Sequence, residues 1–254
     1  MATPRSTTVL GPGPFKAKDL PSKSPYELDE GHPIYCLPTA ARGGAAQSLG
    51  ARVIGTDPLV EHSGVEVGFQ LAEGTLRAPD VAVLSSAPGK GWATTAPPLA
   101  IEYADGGQDE PELERKIAQL LSAGTIAVWV VRLGRIQRVE VYTLDELGVV
   151  HRRISEAHES LTLPGVLQNA VPVAALFDAN QADLATLKNL LDRFGYVHPD
   201  RAREEGREEG REEGREEAFR QSAILVLRAR GEANPEALVA ALDATAVRKL
   251  LTRG

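Results

Sequence analysis

Two short apolar runs on either side of one amphipathic helix constrain this chain more than any other feature. PLAIEYA (98–104) and IAVWVVR (126–132) are unbroken enough, and alternate little enough, to be strands buried on both faces. Between them, residues 111–123 predict a helix. Asp109 and Glu110 put negative charge at its amino end, Pro111 suits its first turn, and Gly124 suits its stop. Leu113, Ile117, Leu120 and Leu121 fall on one side of it. Central strands with helical cover imply an α/β domain.

The other stretches fit around this unit. VEVGFQL (65–71) and APDVAVL (78–84) predict strands, and RVEVYTL (138–144) predicts a partner for 126–132 across a hairpin. The expected sheet is mixed, with about four to five strands flanked by helices. Residues 1–25, with four prolines by Pro21, read as a mostly unstructured lead-in. Residues 26–177 then form the α/β domain, and 178–254 an all-helical extension. That extension begins with an amphipathic helix at 178–195 and closes with a short helix from Pro235. Between these lies the repeat REEG, 203–218, read as a solvated spacer helix. Its Glu204–Arg207, Glu208–Arg211 and Glu212–Arg215 pairs favour a helix, while Gly206, Gly210 and Gly214 each cost about 1 kcal/mol.

Composition narrows the function. With 28 Lys and Arg against 35 Asp and Glu, the net charge of −7 does not favour a polyanion. The repeat does not help, because residues 201–217 hold eight Glu and five Arg. No apolar stretch approaches the roughly 20 residues of a spanning helix, so no membrane role is expected. The opening residues lack the apolar core of a secretory signal, and one cysteine, Cys36, allows no internal disulfide. A reducing cytoplasm is the expected setting, with Cys36 an ordinary buried or half-buried thiol. The five histidines are scattered and predict no zinc site.

Two carboxylates stand where ionised acids are costly. Asp80 follows Pro79 at the start of a strand, and Glu102 lies inside PLAIEYA. Lys116 sits at the edge of the apolar face of the following helix, where it can return towards Glu102. Read as structure alone, Asp80 caps a turn, Glu102 faces outward from a strand, and Lys116 snorkels.

The ordered set Pro79-Asp80, Glu102, Lys116, Gly124 and Trp129 resembles the PD-(D/E)XK nuclease superfamily, and within it the Uma-type restriction endonucleases. Glu102 precedes Lys116 by 14 residues, Gly124 follows by 8, and Trp129 by 5 more. YELDEG (26–31) and LPGVLQNAVPVAALF (163–177) resemble that family's opening and closing stretches, so the likeness covers roughly 26–177. It implies a restriction-endonuclease-like mixed sheet and a nuclease hydrolysing phosphodiester bonds in DNA. It also implies Mg²⁺ or Mn²⁺ held by Asp80, Glu102 and the Tyr103 backbone carbonyl, with Lys116 as the catalytic amine. Lys90, Arg132, Arg135 and Arg138 are candidates for further phosphate contacts. Departures are clear. Tyr103-Ala104-Asp105-Gly106-Gly107 replaces the family's Ser-Pro-Ser region, and Ala104 stands where the superfamily usually has its lysine. ARGGAAQSLG (41–50) lacks a histidine found in many relatives. Glu27 and Glu30 are expected as first-helix carboxylates, and Asp105 as a turn residue or extra ligand. The alternative role is a catalytically silent nuclease fold that self-associates or docks through its helical tail.

Overall fold

The computed structural model describes residues 10–107, 109–196 and 199–252. In chain order the elements are β1 (Tyr26–Asp29), β2 (His32–Tyr35), α1 (Ala41–Gly55), β3 (Ser63–Val65), β4 (Phe69–Ala72), β5 (Thr75–Arg77), β6 (Val81–Val83) and β7 (Leu99–Ala104). They continue with α2 (Glu110–Ser122), β8 (Ala127–Arg132), β9 (Arg138–Leu144), β10 (Val150–Glu156), β11 (Ser160–Leu161), β12 (Val171–Pro172) and α3 (Ala179–Phe194). Last come α4 (Pro199–Ala229), α5 (Pro235–Ala240) and α6 (Ala244–Thr252). Among the described residues no helix is long and apolar enough to cross a membrane.

The chain divides into two compact units, 1–196 and 197–254. The first is a mixed α/β domain around a six-stranded sheet ordered β10-β9-β8-β7-β6-β3. Strands β7 and β8 are parallel, with Leu99 opposite Ala127, and α2 crosses between them. Every other pairing in this sheet is antiparallel. Along β7 the faces alternate. Leu99, Ile101 and Tyr103 pack with Trp129, Val131, α1 and α3, while Ala100 and Ala104 pack against Leu113, Ile117, Leu120 and Leu121 of α2. All six residues of β7 are buried, as a central strand covered on both faces requires. Helix α2 starts as its sequence dictates, with the Asp109 side chain accepting from the Glu112 amide at 3.1 Å. Gly124 follows its last turn at φ 107°, a conformation that suits glycine.

A second, four-stranded antiparallel sheet ordered β2-β1-β5-β4 stands beside α2. Several expectations change here. Residues 26–29 form a strand, not a helix, and Glu30 is the tight-turn residue at φ 48°. The lead-in packs: Ala17 and Leu20 are buried with Leu28 and Leu76, and the Trp92 indole donates to the Ala17 carbonyl at 3.0 Å. Apolar side chains at 15, 17 and 20 give this proline-rich stretch something to bury. The stretch 65–71 serves two sheets, because Glu66 adopts φ 50° and breaks it between β3 and β4. Helix α3 packs on α1 within the first unit instead of opening the extension.

The second unit is all helical. The REEG repeat lies within the 31-residue α4, and its described side chains between 203 and 217 are almost all exposed. Ala223 and Leu227 of α4 form a small core with Val239 of α5 and Val247 of α6. The closing helix expected from Pro235 is thus two helices.

Candidate active site

Four segments meet beside the end of β7. Asp80 comes from the turn into β6, Glu102 from β7, Lys116 from α2 and Glu27 from β1. The sequence spacing holds because β7 and α2 are consecutive, with the second half of α2 passing back over the same strand. Glu102 shares the α2 face of the sheet with Ala100 and Ala104, so its carboxylate meets Lys116. Lys116 Nζ lies 2.9 Å from Glu102 Oε1, donates to Glu27 Oε1 at 2.9 Å, and donates to the Ala78 carbonyl at 2.8 Å. The contact to Glu102 is an ion pair off the hydrogen-bond axis, leaving Oε1 buried without an aligned donor.

Asp80 is anchored differently. Its Oδ2 accepts from the Tyr103 amide at 2.6 Å, and its carbonyl accepts from the Gln47 side chain of α1 at 2.9 Å. Strand β6 begins opposite Ile101, so the Tyr103 amide lies beyond the paired residues, and the Asp80 side chain takes the place of a ladder partner. In an extended strand a residue's N–H and C=O leave on one edge, so the Tyr103 carbonyl faces the Asp80 side.

Glu27 and Arg77 form the supporting layer. Arg77 is fully buried. It donates to Glu27 Oε2 at 3.2 Å, to Glu112 Oε1 at 2.6 Å and to Gln119 Oε1 at 2.6 Å, tying the small sheet to α2. Glu27 also accepts from the Ala78 amide at 3.2 Å. Its oxygens are therefore engaged by Lys116, Arg77 and the main chain.

Two buried acids, Glu27 and Glu102, and the half-buried Asp80 around one ammonium set the electrostatics. Burial works against the charged form of Lys116, but Glu102 and Glu27 outweigh it and hold the amine well above the usual lysine range. Burial pushes the Glu102 carboxyl up to about 8; Asp80 and Glu27 add to this and Lys116 opposes it. Burial also raises Asp80, against the pull of Lys116 and the Tyr103 amide. Glu27 lies below its ordinary value because Lys116 and Arg77 together overcome its burial. Lys116 is thus a fixed cation, Glu27 its counter-ion, and Glu102 an acid lacking a full partner charge.

The cluster opens into a cleft of about 950 Å³ whose lining includes Glu27, Glu66, Asp80 and Lys116. Cys36 lies on the same cleft and is exposed, not buried, since it follows the edge strand β2. Asp105 turns away: it pairs with Arg42 of α1 and accepts from the Gly106 amide at 2.7 Å, as a turn residue does. Glu30 sits in the β1–β2 turn and makes none of these contacts. Sequence reasoning overlooked Arg77 and Gln47. An arginine between Leu76 and Ala78, just before Pro79-Asp80, carries no signal for burial. Among the described residues no group of three or more His, Cys, Asp or Glu side chains is arranged to hold a metal ion. The oxygens available to a hard cation are the carboxylates of Asp80 and Glu102 with the Tyr103 carbonyl.

Comparison with known proteins places this geometry. Among solved structures the chain is similar to one titled a "putative nuclease belonging to DUF820" from Anabaena variabilis. The two share 20% identity and a TM-score of 0.54, over 66% of this chain and 99% of that one. That likeness supports the fold. No curated protein gave a significant match. The sequence profile of the Uma2 family, described as "Putative restriction endonuclease", matches residues 17–175, which span β1 to β12 and include Glu27, Asp80, Glu102 and Lys116. The chain therefore belongs to the Uma2 family of restriction-endonuclease-like proteins.

Proposed function

We propose that this protein is a divalent-metal-dependent nuclease that hydrolyses phosphodiester bonds in DNA. The observation that carries this reading is the meeting of Asp80 and Lys116 on the wall of one open cleft, with Glu102 buried behind them against Lys116 and one of its oxygens lacking an aligned donor. Two carboxylates and a main-chain carbonyl suit Mg²⁺ or Mn²⁺. Mg²⁺ in particular uses one or two carboxylates and keeps several waters. Asp80, Glu102 and the Tyr103 carbonyl would hold the ion. When bound, such an ion lowers the pKa of a water and offsets negative charge on the phosphate.

The chain's own groups do the rest. Lys116 stays protonated, so it acts as a fixed positive charge and hydrogen-bond donor towards a phosphate oxygen or the attacking water, not as a base. Glu27 positions it: with Arg77 behind, it fixes the ammonium at the cleft wall. The Tyr103 amide fixes one Asp80 oxygen and leaves the other for the cation.

Plasmid DNA with Mg²⁺ or Mn²⁺ tests the reading directly. The unaltered protein should nick or linearise it, while Asp80→Ala and Lys116→Ala should cut at least 100-fold more slowly with unchanged circular dichroism. Cleavage surviving in Asp80→Ala would overturn the assignment. Folded protein that binds the cation without cleaving would favour a silent, docking role.

A further inference from the structure

A second groove adjoins the cleft. It measures about 380 Å³ and is lined by Ala104, Asp105 and Gly106 on one side and by Arg132, Arg135 and Arg138 on the other. Gly107 lines the catalytic cleft, so the two hollows meet across the loop that leaves β7. Leu133 donates to the Ala104 carbonyl at 2.9 Å, fixing the root of the β8–β9 hairpin two residues beyond Glu102.

The charges around this groove are unusual for an acidic protein. Arg132 and Arg138 stand directly opposite in the β8–β9 register, a repulsive pairing. Glu140, 1% exposed, holds them: it accepts from Arg132 at 3.1 Å, Arg138 at 2.7 Å and the Tyr142 hydroxyl at 3.0 Å, with Arg152 at 3.5 Å. Arg132 also grips Glu110 through both terminal nitrogens, at 2.6 and 2.8 Å. Asp105 is already taken by Arg42. Four guanidiniums, those of Arg132, Arg135, Arg138 and Arg152, therefore face two carboxylates, Glu110 and Glu140. Arg135, exposed in the hairpin loop, makes no ion pair or hydrogen bond among the described residues.

We infer that this groove is a phosphate-gripping track for the DNA strand flanking the bond to be cut. Arg135 and Arg138 are its positioning residues, and Glu140 is the buried anchor that lets like charges gather there. The inference rests on the nuclease reading and adds the direction of the strand: out of the catalytic cleft across residues 105–107 towards the β8–β9 hairpin. Contacts of this kind set affinity and orientation, not base sequence. They also answer how an acidic chain holds a polyanion, since the surplus positive charge lies beside the cleft instead of inside it.

The test is fluorescence anisotropy of a labelled 20-base-pair duplex with the full chain in Ca²⁺, across a range of salt concentrations. Arg135→Ala should weaken binding about 3–10-fold at low salt for any sequence, and reduce the slope of log K against log salt by about 1. Arg138→Gln should act in the same direction. Arg153→Ala removes an exposed charge from the opposite face of β10 and should leave affinity and slope unchanged. An unaltered slope in Arg135→Ala, an equal loss in Arg153→Ala, or no binding by the unaltered chain would overturn the track. Cleavage of the same duplex in Mg²⁺ reports separately on the nuclease reading. Asp80→Asn should abolish it, and Arg135→Ala should keep its kcat while raising KM.

Discussion

Glu102 makes the site sensitive to pH. Its carboxyl, pushed up to about 8 by burial with Asp80 and Glu27 nearby, takes up a proton at a higher pH than an ordinary carboxyl does when no cation competes. Proton and cation want the same oxygens, so affinity for Mn²⁺ should rise as pH climbs from the ordinary carboxylate range towards 8, and level off above it. Titration calorimetry at pH 6, 7 and 8 should show this rise in the unaltered protein. It should also show net proton release at pH 7, and a flat, weak response in Glu102→Gln. Pooling of charge also explains what could be read from sequence. An acid inside PLAIEYA and an acid after Pro79 at a strand start are costly where they sit, so their apolar settings marked Asp80 and Glu102. Lys116 was legible from helix phase, one position before Ile117. Glu27 was noticed but given the wrong element, because YELDEG is too short and too acidic to reveal a strand. Its hairpin needs a left-handed Glu30, a conformation that residue type does not advertise.

At the level of elements, α1 controls Asp80 from across the sheet. Gln47 holds its carbonyl, and Gly50 leaves room for Tyr103, whose amide holds its carboxylate and whose hydroxyl donates to the Leu176 carbonyl at 3.1 Å. A Cβ at position 50 would lie 2.0 Å from that hydroxyl. Gly50→Ala should therefore destabilise the fold by about 1–3 kcal/mol through overpacking, read as a lower urea midpoint, and weaken Mn²⁺ binding. Tyr103→Phe in the same chain should restore part of both, and no restoration would show that the helix, not the tyrosine, carries the strain. The elements that build this frame were the legible ones. Strands β7 and β8 are long apolar runs, β9 matches its predicted limits, and α2 announces its caps and its stripe. By contrast, β10 has six of its seven residues exposed and no alternation to read. The strand Thr75–Arg77 is buried only because its arginine is matched by acids from two other elements.

Taken whole, the molecule separates its tasks. Every side chain of the cleft and of the flanking groove lies in the first unit, and the helical unit contributes none. Its long α4 carries Gly206, Gly210 and Gly214 with nothing within 4 Å of where a Cβ would stand. Replacing all three with alanine should raise the thermal stability of the helical signal, since each glycine costs about 1 kcal/mol in a helix interior. Circular dichroism at 222 nm measures this, and unchanged melting would mean that α4 draws its stability from contacts elsewhere. The limit between the units, past α3, was misjudged from sequence because the amphipathic stripe of 178–195 shows that a helix packs, but not on what. The engagement of Lys116 on three sides has one more consequence, for chemical reactivity. An amine-directed reagent such as acetic anhydride needs an uncharged, reachable nitrogen, and should mark Lys18, Lys23 and Lys90 long before it marks Lys116. Acetylation at Lys116 then becomes a clock for release of the amine from Glu102, Glu27 and the Ala78 carbonyl, readable by mass spectrometry without any knowledge of the substrate.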